Sequence, residues 1–559
     1  MTTVETGING PGEIKFSLTD WLLVAALLVA TTIFLVAHVP RPITPMEDAS
    51  MLLRYSQNVA RGHGIVWNVG EHPVEGATDF LFMISIAGIS WMTKASVENA
   101  AAGLLFVSQI LSVAVMYAGL RRVYSAPRLL AAGFAVLLGT GLGFRFINSG
   151  FSPPFYSLFA LLTWYVGLRC IQRGVTWRRA IWFAIFSLVT GLIRPDGVFL
   201  SIFMLCSMLY GVRAMRAPLV VSFGTIYALI GGAYFLWRMH YFGYPMPNPF
   251  YIKRASGIEG VLLKLSMRTA VEMLLPILPL AGLGLSSRAG RRQLIVWLIT
   301  VVPFLSIWMF MSLDNDHFSR FQYVVVPLSL MSLGGIVTIW WKNLQQENPA
   351  AATNLQTPAA SALVLLFCFT IFYNLHLYRF PYSNLGAQQL AARLKPYAGK
   401  NYTMAVTEAG DLPFYSEWRT IDVIGLNDSY IAHHNGVITE EYLNRYKPEI
   451  ILYREIADWT KEADDQRKSI GKVLTTNKLA LSDLTLRDYA VAHGYVLAAK
   501  WGSSYTDYHT YYVRPDFPDS DAIVSAIRDH PYYMQGTGLL SYDFRDAPYP
   551  TVPGSISVY

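Results

Sequence analysis

Residues 45–91 read PMEDASMLLRYSQNVARGHGIVWNVGEHPVEGATDFLFMISIAGISW, and the fold turns on how that stretch is read. It follows the first hydrophobic run directly and opens on two adjacent carboxylates, Glu47 and Asp48. On a helical projection Glu47, Arg54, Asn58 and Arg61 share one face. Ala49, Leu52, Leu53, Ser56, Val59 and Ala60 form the opposite, mostly apolar arc. The pattern predicts a helix lying on an apolar surface with a charged edge, set where a membrane ends and water begins. The next segment is dense in polar and ring-bearing side chains: His63, Trp67, Asn68, Glu71, His72, Glu75 and Asp79. Gly62, Gly64, Gly70 and Gly76 punctuate it into tight turns. The closing apolar residues 80–91 are too few to cross a hydrocarbon core of about 30 Å, so they read as a re-entrant or juxtamembrane helix.

Working outward, the 559 residues are 53% hydrophobic and only 14% charged, against about 25% charged in ordinary soluble domains. Mean hydropathy is +0.34. Apolar runs recur at residues 21–38, 97–119, 128–146, 153–171, 179–193, 197–212, 217–237, 272–286, 293–312, 321–341 and 358–378, which predicts an α-helical polytopic membrane protein. The net charge of +7 resides in short Arg clusters between runs, not in a continuous basic stripe, which argues against a nucleic-acid partner. Cys170, Cys206 and Cys368 all lie in apolar runs, so neither a disulfide framework nor a thiolate metal site is expected. The first run is longer than a typical leader core and is followed by Pro40-Arg41-Pro42, so it reads as a span and not as a cleaved signal peptide.

Charge orients the spans. Arg121 and Arg122, then Arg169 to Arg179, then Arg213 and Arg216, then Arg288 to Arg292, and finally Lys342 fall in alternate loops. All are cytoplasmic if residues 80–91 do not cross, which gives about eleven transmembrane helices by the positive-inside rule. Residues 1–20 are then a cytoplasmic N-terminus in a bacterial inner membrane, and residues 21–378 a transmembrane domain with its first outer loop at 39–96. Residues 343–358 read as a polar inner linker. The outer face also gathers residues 144–154, Arg194-Pro195-Asp196-Gly197, a long loop at 238–268, and residues 314–320. Beyond 378 the long apolar runs cease, and more than half of the 37 acidic residues lie there. Short β-prone runs at 403–407, 420–425, 449–453, 496–501 and 510–513 alternate with helical patterns at 439–446, 456–475 and 519–529. Residues 379–559 therefore read as an extracytoplasmic α/β domain.

Carboxylates, amides and an aromatic face are what an array of sugar hydroxyls requires. That makes Arg54, Asn58, His63, Trp67, Asn68 and Glu75 candidates for sugar or acceptor binding. A plainer reading of Glu47 and Asp48 is that acidic residues in a first turn complement the helix dipole. A second, cationic set comprises Arg194, Arg320, Tyr323 and Lys253 on the same outer face. A guanidinium there suits a phosphate through bidentate geometry, although Arg194 with Asp196, and Arg320 with Asp314 or Asp316, could be simple ion pairs. A carboxylate base beside a phosphate clamp fits sugar transfer from a lipid phosphate. The base takes the proton of the attacking hydroxyl, worth about 10²–10⁴ in rate. The cations stabilise the departing phosphate, and one displacement inverts the anomeric centre. A transporter or flippase of lipid-linked glycans would carry ionisable residues at mid-span and paired broken helices, whereas charges here cluster on one face. A non-catalytic envelope or motor-associated protein is the other rival. No metal motif is present, and the acidic pair leaves a divalent cation open.

The motifs also resemble a known group. Glu47-Asp48, Arg54-Tyr55, Gly62-His63-Gly64-Ile65-Val66-Trp67-Asn68, Gly70-Glu71 and Val74-Glu75-Gly76-Ala77-Thr78 are similar to the GT-C superfamily of polyprenyl-phosphate-sugar-dependent glycosyltransferases. More narrowly, they resemble the group of terminal arabinofuranosyltransferases of mycobacterial cell-wall assembly, some relatives of which are described as flagellar motor control proteins. Arg194-Pro195-Asp196-Gly197, the segment 245–253, Arg320-Phe321 and Asp422-Val423-Ile424-Gly425-Leu426-Asn427-Asp428 fit the same pattern. The resemblance implies a GT-C membrane fold, a polyprenyl-phosphate sugar donor with arabinofuranose as its sugar, a glycan acceptor, and a catalytic base at Asp48 or Glu47. Two departures stand out. The first acidic residue is Glu where the group often has Asp, and Ser152-Pro153-Pro154 replaces a Glu-Thr helix start.

Overall fold

A computed structural model of the chain describes residues 15–253, 260–310, 316–377, 385–434, 436–456, 478–504, 507–530 and 542–543. Eight described helices are long and apolar enough to cross a membrane: Leu18–His38, Val97–Tyr124, Arg128–Ser149, Pro153–Arg173, Ala217–Phe242, Arg288–Phe310, Val325–Glu347 and Pro349–His376. Trp177–Ile193 and Asp196–Gly211 occupy two more of the expected runs with 17 and 16 residues. The protein is a polytopic helical membrane protein. The first span, α1 (Leu18–His38), starts in a capping box between Ser17 and Asp20. The buried Asp20 carboxylate pairs with Arg121 at 2.9 Å and Arg128 at 3.2 Å. Lys342 donates to the Tyr124 carbonyl at 2.6 Å, and Arg292 donates to that of Gly211. Basic residues from alternate loops thus meet at the same ends of neighbouring helices.

Two expectations about the bundle are corrected. The run 272–286 is not one straight span: Gly260–Leu274 and Leu278–Ser286 are separate helices bent by 86°. Pro276 and Pro279 lack the N–H groups that would carry a helix across the break. Residues 260–268, read as part of a long loop, belong to the first of these helices. The expected linker 343–358 is helical too. Val325–Glu347 covers its first five residues, and Asn348 caps Pro349–Leu377 by accepting from the Ala351 N–H at 3.0 Å.

The decisive stretch forms α2 (Glu47–Ala60) and α3 (Phe80–Thr93). At about 1.5 Å per residue the 14 residues of α3 fall short of a bilayer core, and α3 packs against α2 and the next span, α4 (Val97–Tyr124). On α2 the faces differ from the projection. Arg54, Tyr55 and Asn58 are buried along with Ala49 and Leu53, because the extramembrane domain covers the polar face while the bundle covers the apolar one.

That domain contains a mixed six-stranded sheet in the order β2-β1-β3-β5-β4-β6. The strands are β1 (Thr403–Val406), β2 (Arg419–Asp422), β3 (Ile450–Ile456), β4 (Val496–Ser504), β5 (Asp507–Val513) and β6 (Tyr542–Asp543). β1 pairs in parallel with β2 and β3, and the remaining pairs are antiparallel. Strand alternation splits the core: Met404, Val406, Ile450 and Leu452 face one layer, and Ala405, Ile451 and Tyr453 the other. The first layer continues into Tyr55, Ile65, Trp67 and Met83, so the sheet and α2 share one hydrophobic core. Helices Glu440–Tyr446 and Ser520–Arg528 match their expected positions. The expected helix over 456–475 lies, apart from Ile456 in β3, outside the described residues. Helices Leu385–Leu394, Asp411–Ser416, Ser429–His433 and Lys478–Ala492 were not foreseen.

The alternating charge pattern makes a topological prediction. With Cys206 and Cys368 replaced by Ser, a cysteine at exposed Glu441 should react with an impermeant thiol reagent added outside intact cells. One at exposed Ala289 should react only after permeabilisation. The opposite pattern would invert the orientation.

Candidate functional site

Glu47 and Asp48 occupy the first turn of α2, and the Met46 N–H that precedes them donates to the Ser149 carbonyl at 3.0 Å. One helical step of about 100° sends their side chains to different partners. Glu47 turns to the sheet domain, where its carboxylate accepts from the backbone N–H of Gly410 and, at 3.0 Å, of Asp411. These groups lie in the loop after β1 and at the start of helix Asp411–Ser416. A Cβ on Gly410 would overlap the Glu47 carbonyl, so only glycine permits this approach. Ser50, one turn on, donates to the Asp411 carboxylate. Burial and then the nearby Asp411 and Glu408 carboxyls push Glu47 well above the ordinary range, and the two N–H bonds only partly oppose this.

Asp48 instead meets Arg320, whose Nη2 donates to Oδ2 at 2.6 Å. Burial alone would raise the Asp48 carboxyl, but the charges of Arg320, Lys253 and His317 outweigh it and leave Asp48 below its usual value. Burial holds His317 down to about 4, so it is neutral near pH 7 and the effective cations are Arg320 and Lys253. The turn that presents Arg320 is strained. Phe318 and Ser319 both have left-handed backbones, at φ 57° and 61°, a conformation that costs about 1–3 kcal/mol at a non-glycine residue and is typical of functional sites. The Arg320 guanidinium lies 4.1 Å from the Phe151 ring centre and 5.0 Å from that of Phe321.

Arg194 approaches the same Phe321 ring, at 5.3 Å, so the two arginines expected to bind phosphate share one aromatic platform. Arg194 is also paired, with Asp196 at 2.9 Å and Asp79 at 3.5 Å. Asp79 accepts in turn from the Ser152 hydroxyl, which is where the departure at Ser152-Pro153-Pro154 finds its polar contact. Lys253 ends the short helix Asn248–Lys253. That helix is fixed by the Asn248 N–H donating to the Glu75 carbonyl at 3.1 Å. Asp314 lies outside the described residues.

Other candidates sit elsewhere. Tyr323 is buried among Met46, Leu142 and Phe151, its ring 4.8 Å from Phe146, so mostly apolar packing surrounds it. Glu75 is bound by Arg238 at 2.5 Å and clamps the loop between α2 and α3 to the helix ending at Phe242. The Trp67 ring, expected as an open sugar face, is 2% exposed. Arg54 covers it at 4.4 Å, and its Nε1 donates to the Thr420 carbonyl. His63 is exposed on the surface. Arg54, Asn58 and Asn68 line a cavity between α2 and the sheet domain. The motif at 422–428 is the matching turn. Asp422 accepts from the Ile424 and Asn427 backbones, and Asn427 lies against Gly76, where a Cβ would overlap it. Sequence reasoning did not single out His317, Gly410 or Asp411. His317 neighbours Arg320 in the chain, but the other two are recognisable only through contacts more than three hundred residues away. Among the described residues, no group of three or more His, Cys, Asp or Glu side chains is placed to hold a metal ion.

With that geometry established, comparison with solved structures is informative. ArnT from Cupriavidus metallidurans in the apo state superposes with a TM-score of 0.54 at 13% identity, covering 88% of this chain and 98% of that one. The same protein bound to undecaprenyl phosphate gives a TM-score of 0.50 at 10% identity, covering 89% and 98%. The fold is of the GT-C type. A GT-C transmembrane domain with an α/β extramembrane domain thus matches the expected fold class. A family described as a domain of unknown function, DUF8728, matches residues 376–514. No curated protein matches the chain.

The seam between Glu47 and the loop after β1 yields a stability prediction. Gly410→Ala should cost about 1–3 kcal/mol through overpacking. Glu47→Gln, which replaces one acceptor oxygen by an N–H donor, should cost a similar amount, about 1–3 kcal/mol. Because folding raises the Glu47 pKa, its stabilising effect is complete below the ordinary Glu range and is lost as pH rises towards the raised value. Thermal unfolding of the wild type should therefore fall in temperature over that rise, and Glu47→Gln should flatten the dependence. An unchanged pH slope in the variant would refute the assignment.

Proposed function

We propose that the protein is an integral-membrane glycosyltransferase that moves a sugar from a polyprenyl-phosphate donor to a hydroxyl of an acceptor glycan on the outer face of a bacterial inner membrane. The observation that carries the reading is Asp48, a carboxylate held ionised at the end of α2 beside Arg320 and Lys253, within a GT-C fold. Of the two adjacent acids, Asp48 is the one that faces cations, whereas Glu47 is occupied at the seam and favours its protonated form. Arabinofuranose is the sugar that the sequence resemblance implies.

In the proposed reaction the acceptor oxygen attacks the anomeric carbon as the bond to the phosphate oxygen breaks. The hydroxyl proton passes to Asp48, and the lipid phosphate leaves as an anion stabilised by Arg320 and Lys253. The single displacement inverts the sugar. Before the donor binds, Arg320 pairs with Asp48; a phosphate competing for that guanidinium would release the carboxylate oxygen that must take the proton. Arg194, already neutralised by Asp196 and Asp79, acts in this scheme by holding Phe321 and the loop at Asp79 in place.

Asp48→Asn should lower sugar transfer from a polyprenyl-phosphate donor by about 10²–10⁴-fold without changing the melting temperature by more than a few degrees. Glu47→Gln should keep most of the turnover that its folded fraction allows. Because Asp48 lies below the ordinary carboxylate value, the acid limb of kcat/KM should fall below about pH 4, with activity lost as pH drops through it. Undiminished transfer by folded Asp48→Asn protein would dispose of the base assignment.

A further inference from the structure

Arg54 lies six residues, about 1.7 turns, beyond Asp48 on α2 and is 6% exposed. Its Nε donates to the Trp67 carbonyl at 2.9 Å and Nη1 to that of Pro413 at 2.8 Å. Nη2 donates to Asn68 Oδ1 at 2.9 Å and to the Trp418 carbonyl at 2.8 Å. All four acceptors are neutral. A buried guanidinium held only by neutral oxygens has no carboxylate in contact with its charge, an arrangement that is costly unless an anion completes it. The nearby carboxylates are engaged by other cations. Glu417 is bound by Arg61 at 3.0 Å and Lys395 at 3.1 Å, and Glu71 by Arg419 at 2.6 Å.

Arg54 forms the floor of a cavity of about 190 Å³ between α2 and the sheet domain. Asn58 and Asn68 line the floor beside it; Asn58 directs its amide N–H groups to the Val66 and Trp67 carbonyls. Gln57 stands on the wall, Pro413 and Phe414 add apolar surface, and Val69, 58% exposed, stands at the mouth. Three arginines, Arg54, Arg61 and Arg419, line it against a single carboxylate, Glu417. Amides, a little apolar surface and surplus positive charge suit a hydroxyl-rich ring that bears an anionic group. From Asp48 to Asn58 is about 15 Å along the helix axis, a span of several sugar units. It lies on the aqueous side, away from the Arg320 cluster.

We propose that this cavity is an acceptor subsite that binds an anionic sugar unit, a uronate or a phosphorylated residue, lying upstream of the hydroxyl that reacts at Asp48. The inference rests on the glycosyl-transfer reading for its role and on the cavity alone for its ligand. The enzyme would then extend or cap an acidic oligosaccharide, with α2 acting as the ruler between the recognised unit and the reacting one.

The test is calorimetric titration of the full chain in lipid nanodiscs with hexagalacturonate and, as the neutral control, maltohexaose. Hexagalacturonate should bind saturably, at least about tenfold tighter than maltohexaose, and weaken as salt rises. Val69→Trp, which blocks the mouth, should abolish binding of both. Gln57→Glu, which adds a negative charge to the wall without removing any bond described above, should weaken hexagalacturonate by about tenfold or more and leave maltohexaose unchanged. Asp48→Asn should bind like the wild type, because the site is separate from the chemistry. Equal affinity for the two hexasaccharides, no saturable binding, or hexagalacturonate binding indifferent to both cavity variants would each overturn the proposal. Cavity-dependent binding in a protein that transfers no sugar would uphold the saccharide site while refuting the catalytic reading.

Discussion

The contact between the Glu47 carboxylate and the backbone N–H groups of Gly410 and Asp411 is the constraint on which the rest of this face of the bundle depends. It joins the first turn of a juxtamembrane helix to the loop after the first strand of a domain more than three hundred residues later. Since successive helical residues are about 100° apart, fixing Glu47 on the sheet domain fixes Asp48 on the bundle side. Asp48 thereby meets Arg320, and the following turns place Arg54 and Asn58 against the domain. Loops after the carboxyl ends of β1 and β2 supply the other half of the seam, through Gly410 and Asn427. In open α/β sheets that edge is where ligands usually bind. Here α2 occupies that edge, whereas the cavity floored by Arg54 lies toward the opposite, amino ends of β1 and β2, beside Asn401, Glu417 and Arg419.

Much of this was legible in the sequence because its signals are local. Apolar runs located the bundle helices, since that signal depends only on bilayer thickness. Strands β1 to β5 announced themselves by short β-branched and aromatic runs between turn residues. The placement of Asp48 with Arg320 followed from putting both on one face of the membrane. The faces of α2 were not legible. A projection reads Arg54 and Asn58 as a solvated edge because it cannot see a second domain covering that edge. Trp67 was misread for the same reason, since an aromatic ring beside a guanidinium looks like a sugar platform until Arg54 is found lying over it. The helix over 349–357 was missed because a run of polar residues suggested a linker, whereas the Asn348 cap and the alanines that follow favour helix.

The two ends of α2 therefore hold charge in contrasting ways. At the first turn, Asp48 is a negative group whose burial is offset by cations, and on the proposed reading a phosphate competes for one of those cations. At the third turn, Arg54 is a positive group whose hydrogen bonds are met by neutral oxygens but whose charge is not. A buried ion pair such as Asp48–Arg320 gains little net stability over an apolar contact, and the left-handed backbone at Phe318 and Ser319 adds to the cost of presenting it. Retaining both costs is understandable where the pair must be exchangeable. The guanidinium can leave the carboxylate when a stronger anion arrives, and the carboxylate then gains a free oxygen at the moment a phosphate is bound.

That coupling also explains why adjacent acids serve such different ends. If both Glu47 and Asp48 faced the cations, one phosphate would have to compete with two carboxylates, and one acid would remain paired or take up a proton. If both faced the seam, neither would be held ionised, because that environment raises a carboxyl's pKa through burial and the nearby Asp411 and Glu408. Splitting them across the helix gives one carboxyl that secures the domain through backbone donors and one that stays charged at neutral pH. A single step of helical rotation thus separates the structural acid from the reactive one, and Gly410, by leaving room for the first, determines where the second can point.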